Sequence, residues 1–217
     1  MSAPEETRYD ESHEHDRDSL QGVAIVGMSG RFPGAKSVAE FWKNQLAGVE
    51  SISQFRVEEL EISNRVEAVR EPNYIRARSV LNDIDLFDAE FFGILPKEAE
   101  LMDPQHRLFL ECCWEALEDA GYDSLSYSGA IGVIAGAAYG SYFHSQVCAQ
   151  PGFTEDFLKS YQIGNYTAMM GNHPDYLATR VSYKLNLKGP SFAISVGLFD
   201  VTSSRLPGVP KPADLSK

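Results

Sequence analysis

The end of one predicted strand is the place in this chain where a reactive side chain would be expected. Residues 191–194 (SFAI) are typical of a short buried strand, and Gly189-Pro190 before them ends a predicted helix over residues 175–187. In many α/β enzymes the end of such a strand carries a nucleophile into a cleft. Here the strand is followed by Ser-Val-Gly-Leu at residues 195–198. No cysteine follows, and the Ser195 hydroxyl is a weak nucleophile without a neighbouring base.

The cysteines offer little further chemistry. Cys112, Cys113 and Cys148 give neither a disulfide framework nor the spacing of metal ligands. Cys112 and Cys113 fall within or beside the apolar stripe of a predicted helix, so core packing explains them better than reactivity. Cys148 lies in a predicted loop region, and its role is left open. The sequence therefore predicts no metal site.

A glycine-rich loop at residues 27–34 (GMSGRFPG) invites a phosphate-binding interpretation. Its spacing is not G-x-G-x-x-G, Pro33 stands where a dinucleotide-binding helix would begin, and no Gly-Lys-Ser/Thr is present. Ser29 is not in a G-x-S-x-G elbow, because the second residue after it is Arg31. We interpret the loop as structural. A nucleotide-binding α/β protein is an alternative that depends on this loop alone.

Two apolar runs predict the strands that would position these residues. Residues 23–26 (VAIV) and 131–136 (IGVIAG) each have the continuous apolar pattern of a strand buried on both faces. A capping box at residues 37–40 predicts a helix that directs an aromatic face, Phe41 and Trp42, towards the sheet. Residues 50–77 are charged and irregular and predict a surface excursion with short helical turns.

The strongest helix signal lies in the middle of the chain. Asp103 is the predicted N-cap, Pro104 occupies the first helical position, and Gly121 closes the helix. His106 falls in the first turn, where a lone histidine is more often a surface or capping residue than a ligand. The solvated side of the helix is predicted to carry its acidic residues, Glu111, Glu115, Glu118 and Asp119.

Charge and composition exclude several classes of function. The formal net charge is −12 at pH 7, which argues against nucleic-acid binding and against docking on anionic membranes. No apolar run approaches the ~20 residues of a membrane span. Residues 1–20 hold seven acidic residues against two arginines and predict a disordered acidic leader. The absence of a disulfide pattern favours a cytoplasmic protein.

Six motifs in order resemble the N-terminal half of a β-ketoacyl synthase (ketosynthase) domain of modular type I polyketide synthases. They lie within residues 21–194, about four-fifths of the chain. The motifs are VAIVGMSGRFPG at 23–34, FDAEFFGI at 87–94, MDPQHRL at 102–108, WEALEDAG at 114–121, LATRVSY at 177–183 and GPS at 189–191.

The resemblance implies an α/β, thiolase-like fold, layered α/β/α/β/α, of which this chain holds the first half. It also implies a second ketosynthase protomer as a partner. In that family a cysteine receives an acyl chain from the phosphopantetheine of an acyl carrier protein, and two histidines assist the decarboxylation and condensation of a malonyl unit. No cofactor is bound directly. The position of the family nucleophile falls on Leu198, so no catalytic residue can be carried over.

The sequence therefore predicts three segments and a truncated enzyme. They are a disordered leader at 1–20, the ketosynthase N-terminal half at 21–194, and a divergent proline-rich, disordered tail at 195–217. The chain is expected to be inactive alone, because the family's cysteine and both histidines are absent. The alternative is a non-catalytic half-subunit of a polyketide synthase that dimerises or complements a separate C-terminal half.

Overall fold

The structure, a computed structural model, describes residues 22–60, 70–138, 140–153, 155, 157 and 166–195. The predicted acidic leader, Leu198 and the rest of the proline-rich tail beyond Ser195 lie outside these residues. The segment boundaries predicted at residues 20 and 194 therefore stay predictions.

Helices and short strands alternate along the described residues. The α-helices are α1 (Val38–Leu46), α2 (Pro96–Leu101), α3 (Pro104–Asp119), α4 (Tyr166–Asn172) and α5 (Leu177–Lys184). The strands are β1 (Ile52–Gln54), β2 (Ala77–Ser79), β3 (Val133–Ala137) and β4 (Ser191–Ser195). Two 3₁₀ turns, Val57–Glu59 and Pro174–Tyr176, and a π-helical turn, Phe143–Val147, lie between them.

The four strands form two separate two-stranded sheets. β1 and β2 are antiparallel and pair Ile52 with Ser79. β3 and β4 are parallel, with Val133 opposite Ser191 and Ala137 opposite Ser195. Because the strands are parallel and in register, their carboxyl ends lie at the same edge of the sheet.

One face of the parallel sheet carries the core. Helix α5 packs against both β3 and β4, and α3 packs against α5. The buried side chains of this layer include Met102, Leu110, Val133, Ala135, Leu177, Val181 and Leu185. Phe87 and Phe92 stack on each other and pack against the same core.

Helix α3 begins and ends as the sequence predicts. The Asp103 side chain accepts a hydrogen bond from the Gln105 N–H at 2.8 Å, and Pro104 occupies the first turn. Gly121 follows the helix at φ +73°, a conformation that costs glycine nothing. These signals are local and do not depend on what packs against the helix.

Several burial predictions are wrong. Residues 23–26 form no strand in the structure, and Ile25 is 78% exposed. β3 alternates between buried and exposed positions, since the helices of the described residues cover only one of its faces. Helix α1 buries none of its residues; Phe41 stacks on Phe32 instead of on a sheet, and Trp42 is exposed.

Two further regions differ in part from the predictions: the acidic side of α3, and residues 50–77, which contain strands. Glu115 bonds to Ser29 and Arg31, and Asp119 accepts a hydrogen bond from the Met28 N–H at 2.9 Å. Glu115 and Asp119 therefore also hold a loop, while Glu118 and Asp119 are exposed to solvent as predicted. β1 and β2 were not predicted, because three-residue strands are too short to show a periodic pattern.

Candidate functional site

The carboxyl edge of the parallel sheet is the candidate site. Ligands of open α/β sheets bind outside the carboxyl ends of the strands. β3 ends there at Ala137 and β4 at Ser195, opposite each other in the register. The position of the family nucleophile, Leu198, would follow β4 by three residues but lies outside the described residues.

The loop that leaves β3 closes directly onto the start of helix α3. A Cβ at Gly140 would lie 2.2 Å from Asp103 Oδ2 and 2.9 Å from Gln105 Nε2. A side chain at this position would therefore displace the Asp103 carboxylate or the Gln105 amide. The N-terminus of α3 is in this way fixed against the carboxyl edge of the sheet, with the Asp103 carboxylate between them. Burial raises the pKa of Asp103, against the opposing hydrogen bonds from Gln105.

His106 lies in the first turn of α3 and is only 3% exposed, so the prediction of a surface or capping residue is wrong. Burial lowers its pKa to about 4, with a smaller effect from the charge of Arg180 and an opposing hydrogen bond to the backbone of His173. The imidazole is neutral at neutral pH. Its Nδ1 is buried and has no hydrogen-bond partner among the described residues.

The side chains of Arg180 and Asn172 bond to partners on neighbouring helices. The Arg180 guanidinium pairs with Glu98 at 2.9 Å, joining α5 to α2. Asn172 Nδ2 donates to Leu101 O at 2.7 Å and to Ala168 O at 2.6 Å. These contacts join α2, α4 and α5 around the start of α3. These contacts hold the helices around the site rigidly in place. None of the groups involved is a nucleophile.

Burial disfavours the thiolate form of the two cysteines on α3. Burial is the main cause that raises the pKa of the Cys112 thiol, and it raises the pKa of Cys113 to about 12. Both thiols are half-buried and protonated at neutral pH. Since the thiolate is the reactive form, the packing interpretation of these two residues is supported. Cys148 follows the π-helical turn and is half-buried.

The glycine-rich loop is held by a carboxylate, and its arginine is already paired. Arg31 donates from both terminal nitrogens to the Glu115 carboxylate, one of them at 2.7 Å. Ser29 donates to the same carboxylate. The hydrogen bond from Arg31 is the main cause that lowers the pKa of Glu115. This geometry supports the structural interpretation of the loop.

The described residues contain no metal-binding cluster and no helix that could span a membrane. In residues 22–60, 70–138, 140–153, 155, 157 and 166–195, no three His, Cys, Asp or Glu side chains come together as metal ligands. The helices of the same residues are too short and too polar to cross a bilayer.

Sequence reasoning placed His106 at the surface and missed Gly140. A signal for His106 was present, because it precedes Leu110 by one helical turn and so falls on the apolar stripe of α3. No signal for Gly140 was present, since its role depends on how far the β3 loop lies from α3.

The fold with this edge is that of a thiolase-like ketosynthase domain. Ketosynthase twelve of the bacillaene polyketide synthase of Bacillus amyloliquefaciens is 39% identical and superposes with a TM-score of 0.62, over 78% of this chain and 28% of that one. The ketosynthase domain OzmH KS7 of Streptomyces albus JA3453, from oxazolomycin synthesis, is 30% identical with a TM-score of 0.61, over 79% of this chain and 28% of that one.

The sequence comparisons agree with the structural ones. Residues 21–196 match the family model described as "Beta-ketoacyl synthase, N-terminal domain". A phenolphthiocerol/phthiocerol polyketide synthase protein of Mycobacterium tuberculosis is 41% identical over 175 residues, which cover 79% of this chain and 12% of that protein. Polyketide synthase PksN of Bacillus subtilis is 39% identical over 195 residues, or 86% of this chain and 3% of that protein.

The chain belongs to the β-ketoacyl synthase family and corresponds to the N-terminal part of its ketosynthase domain. This confirms the resemblance and the thiolase-like fold class predicted from the sequence. The chain spans 12% or less of the length of these curated relatives and 28% of the solved ketosynthase chains.

Proposed function

We propose that residues 21–194 are the N-terminal half of a ketosynthase of polyketide or fatty-acid type that cannot form an acyl-enzyme at its own nucleophile position. The observation that carries the proposal is Leu198, onto which the family resemblance places the nucleophilic cysteine. A leucine side chain has no lone pair and no ionisable hydrogen, so it cannot hold a thioester. The raised pKa values of Cys112 and Cys113 support the absence of a substitute on α3.

The family reaction sets what a complete enzyme would do. It joins an acyl thioester to a malonyl unit with loss of carbon dioxide, and both substrates arrive on the phosphopantetheine of an acyl carrier protein. We extend this substrate class, the carrier and a second ketosynthase protomer to the present chain as part of the proposal. The cytoplasmic setting expected from the sequence belongs to it as well.

Acylation tests the proposal directly. The purified chain is incubated with an acyl-N-acetylcysteamine thioester and with an acyl-loaded carrier protein, and its intact mass is measured. No acyl adduct is expected, because position 198 offers no sulfur. A complete ketosynthase treated in parallel is the positive control. An adduct at stoichiometric yield would contradict the proposal, and its loss in Cys148→Ala would locate it on the loop cysteine that the sequence left open.

A second candidate function is a half-subunit that binds a separate C-terminal ketosynthase half. The outer face of the parallel sheet supports it. Ile134 is 74% exposed, and Phe192 and Ile194 are 58% and 57% exposed. Ile134 lies opposite Phe192 in the register, so these side chains share one apolar face. Parallel sheets normally have both faces covered, and the helices of the described residues cover only one.

Co-purification tests this second candidate. The chain is co-expressed with a tagged C-terminal half of a ketosynthase, and the two should co-purify because apolar area is removed from water. Phe192→Glu should abolish co-purification, since it places a charge in the centre of the face. Ile75→Glu, at a position beside β2 that is 77% exposed, is the matched control and should have no effect. Failure of the unmodified halves to associate would exclude the complementing half-subunit.

A further inference from the structure

Three buried polar atoms around the start of α3 have no hydrogen-bond partner among the described residues. They are His106 Nδ1 on α3, Asn172 Oδ1 on α4 and Arg180 Nε on α5. Arg107 Nε also lacks a partner, but it belongs to a guanidinium that reaches the loop carbonyl of Asp85. Buried polar groups are almost always satisfied, either by protein or by an ordered water molecule. The group of three therefore indicates a place where a small polar molecule binds.

The free atoms of His106 and Asn172 are both acceptors. A hydrogen bond to the backbone of His173 raises the pKa of His106, so the ring donates to that carbonyl. Because Nδ1 has no partner, the donor is Nε2–H, and the neutral ring keeps a lone pair on Nδ1. Asn172 donates from Nδ2 to Leu101 O and Ala168 O. Since carbonyls only accept, these bonds fix the orientation of the amide and leave Oδ1 as the second acceptor.

Arg180 supplies the complementary donor. Its Nη1 donates to Glu98 at 2.9 Å, whereas its Nε–H group has no acceptor. The charge of Arg180 contributes to lowering the pKa of His106, which places the guanidinium near the imidazole. Glu98 and Leu101 lie one turn apart on α2. Arg180 bonds to the first and Asn172 to the second, so the free donor and the free acceptors lie in one region between the helices.

The chemistry of the three groups selects a neutral molecule. An anion would face the two lone pairs of His106 Nδ1 and Asn172 Oδ1, and a cation would face the Arg180 guanidinium. A molecule that donates twice and accepts once matches all three groups. Water has this capacity, and buried waters typically make about three hydrogen bonds to polar groups of the protein.

We propose that one buried water molecule bridges His106, Asn172 and Arg180. It donates to His106 Nδ1 and to Asn172 Oδ1, and it accepts from the Nε–H group of Arg180. The bridge joins the first turn of α3 to the end of α4 and to α5, directly beside the Glu98 contact to α2. The water is thus a structural component beneath the candidate site, and it is independent of the ketosynthase proposal.

A crystal structure of the full chain tests the bridge directly. One ordered peak of density is expected at about 2.7–3.2 Å from each of the three atoms. Direct contact of Arg180 Nε with either acceptor, or no density between the three side chains, would overturn the proposal.

The His106 ring reports the same bridge in solution. In the full chain labelled with ¹⁵N-histidine, the neutral ring should carry its proton on Nε2, and the Nδ1 resonance should be shifted to lower frequency by an accepted hydrogen bond. A nuclear Overhauser effect from water to the carbon-bound Hε1 proton of the ring should accompany this shift. An Nδ1 resonance at the frequency of an unbonded nitrogen would contradict the bridge.

Arg180→Lys removes the Nε–H donor and keeps a positive charge opposite Glu98. The Overhauser effect between water and the His106 ring should be lost in this variant. Arg76→Lys, the same exchange at an exposed position, is the matched control and should retain it. An undiminished effect in Arg180→Lys would overturn the three-way bridge, and the two measurements on the unmodified chain decide the proposal if this variant does not fold. An acyl adduct would contradict the ketosynthase proposal and leave all of these readouts unchanged.

Discussion

Replacing Leu110 by alanine is expected to lower the free energy of unfolding by about 2–5 kcal/mol. Leu110 is fully buried on α3 and belongs to the core cluster with Met102 and Val181. Truncation removes apolar contacts and leaves a cavity that the surrounding helices fill only in part. Urea unfolding followed by circular dichroism measures the loss as a lower midpoint at constant slope.

Leu125→Ala is the matched control for Leu110→Ala. Leu125 is an exposed leucine in the loop after α3, so the same truncation there should change the free energy of unfolding by about 0.5 kcal/mol or less. Equal losses in the two variants would mean that α3 does not carry the core.

Acid is expected to destabilise the fold through His106. The folded-state pKa of about 4 lies below the ordinary histidine value of 6.5, so the unfolded chain binds a proton more readily between these two pH values. The free energy of unfolding should therefore fall as the pH is lowered from 6.5 to 4. A shift of this size corresponds to at most about 3 kcal/mol. Urea titrations at closely spaced pH values measure the slope.

His106→Gln isolates the contribution of this histidine. Glutamine can still donate to the backbone of His173 and does not titrate, so the variant should lose most of the slope between pH 6.5 and 4. Comparison with the unmodified chain is needed because Asp103, whose pKa is raised, favours the folded state at acidic pH and opposes the loss. Identical slopes in the two proteins would contradict a buried, neutral His106.

The parts of the fold that the sequence predicts correctly are those set by local chemistry. Asp103, Pro104 and Gly121 define α3 because capping and helix termination need only a few consecutive residues. The start of β4 was predictable in the same way, because Gly189-Pro190 ends the preceding helix locally. The family resemblance was also within reach, since it depends on several short motifs in order.

Burial could not be predicted in the same way. Residues 23–26 have the composition of a buried strand, yet whether they are covered depends on which strand and which layer lie beside them. Ile134 is exposed for the same reason, because nothing among the described residues covers the second face of β3. His106 and Gly140 acquire their roles only when α3 meets the sheet edge. An apolar pattern indicates a tendency to be buried, and the partner that buries it is encoded elsewhere.

The uncovered face formed by Ile134, Phe192 and Ile194 also matters during synthesis. On the ribosome, β3 and β4 emerge and can pair through residues that are already translated, before any later residue is available to cover them. For that interval the nascent chain displays an apolar, strand-rich surface, the kind of surface that leads to misassembly and attracts chaperones. The risk of aggregation during synthesis therefore depends on how soon a covering partner reaches this face.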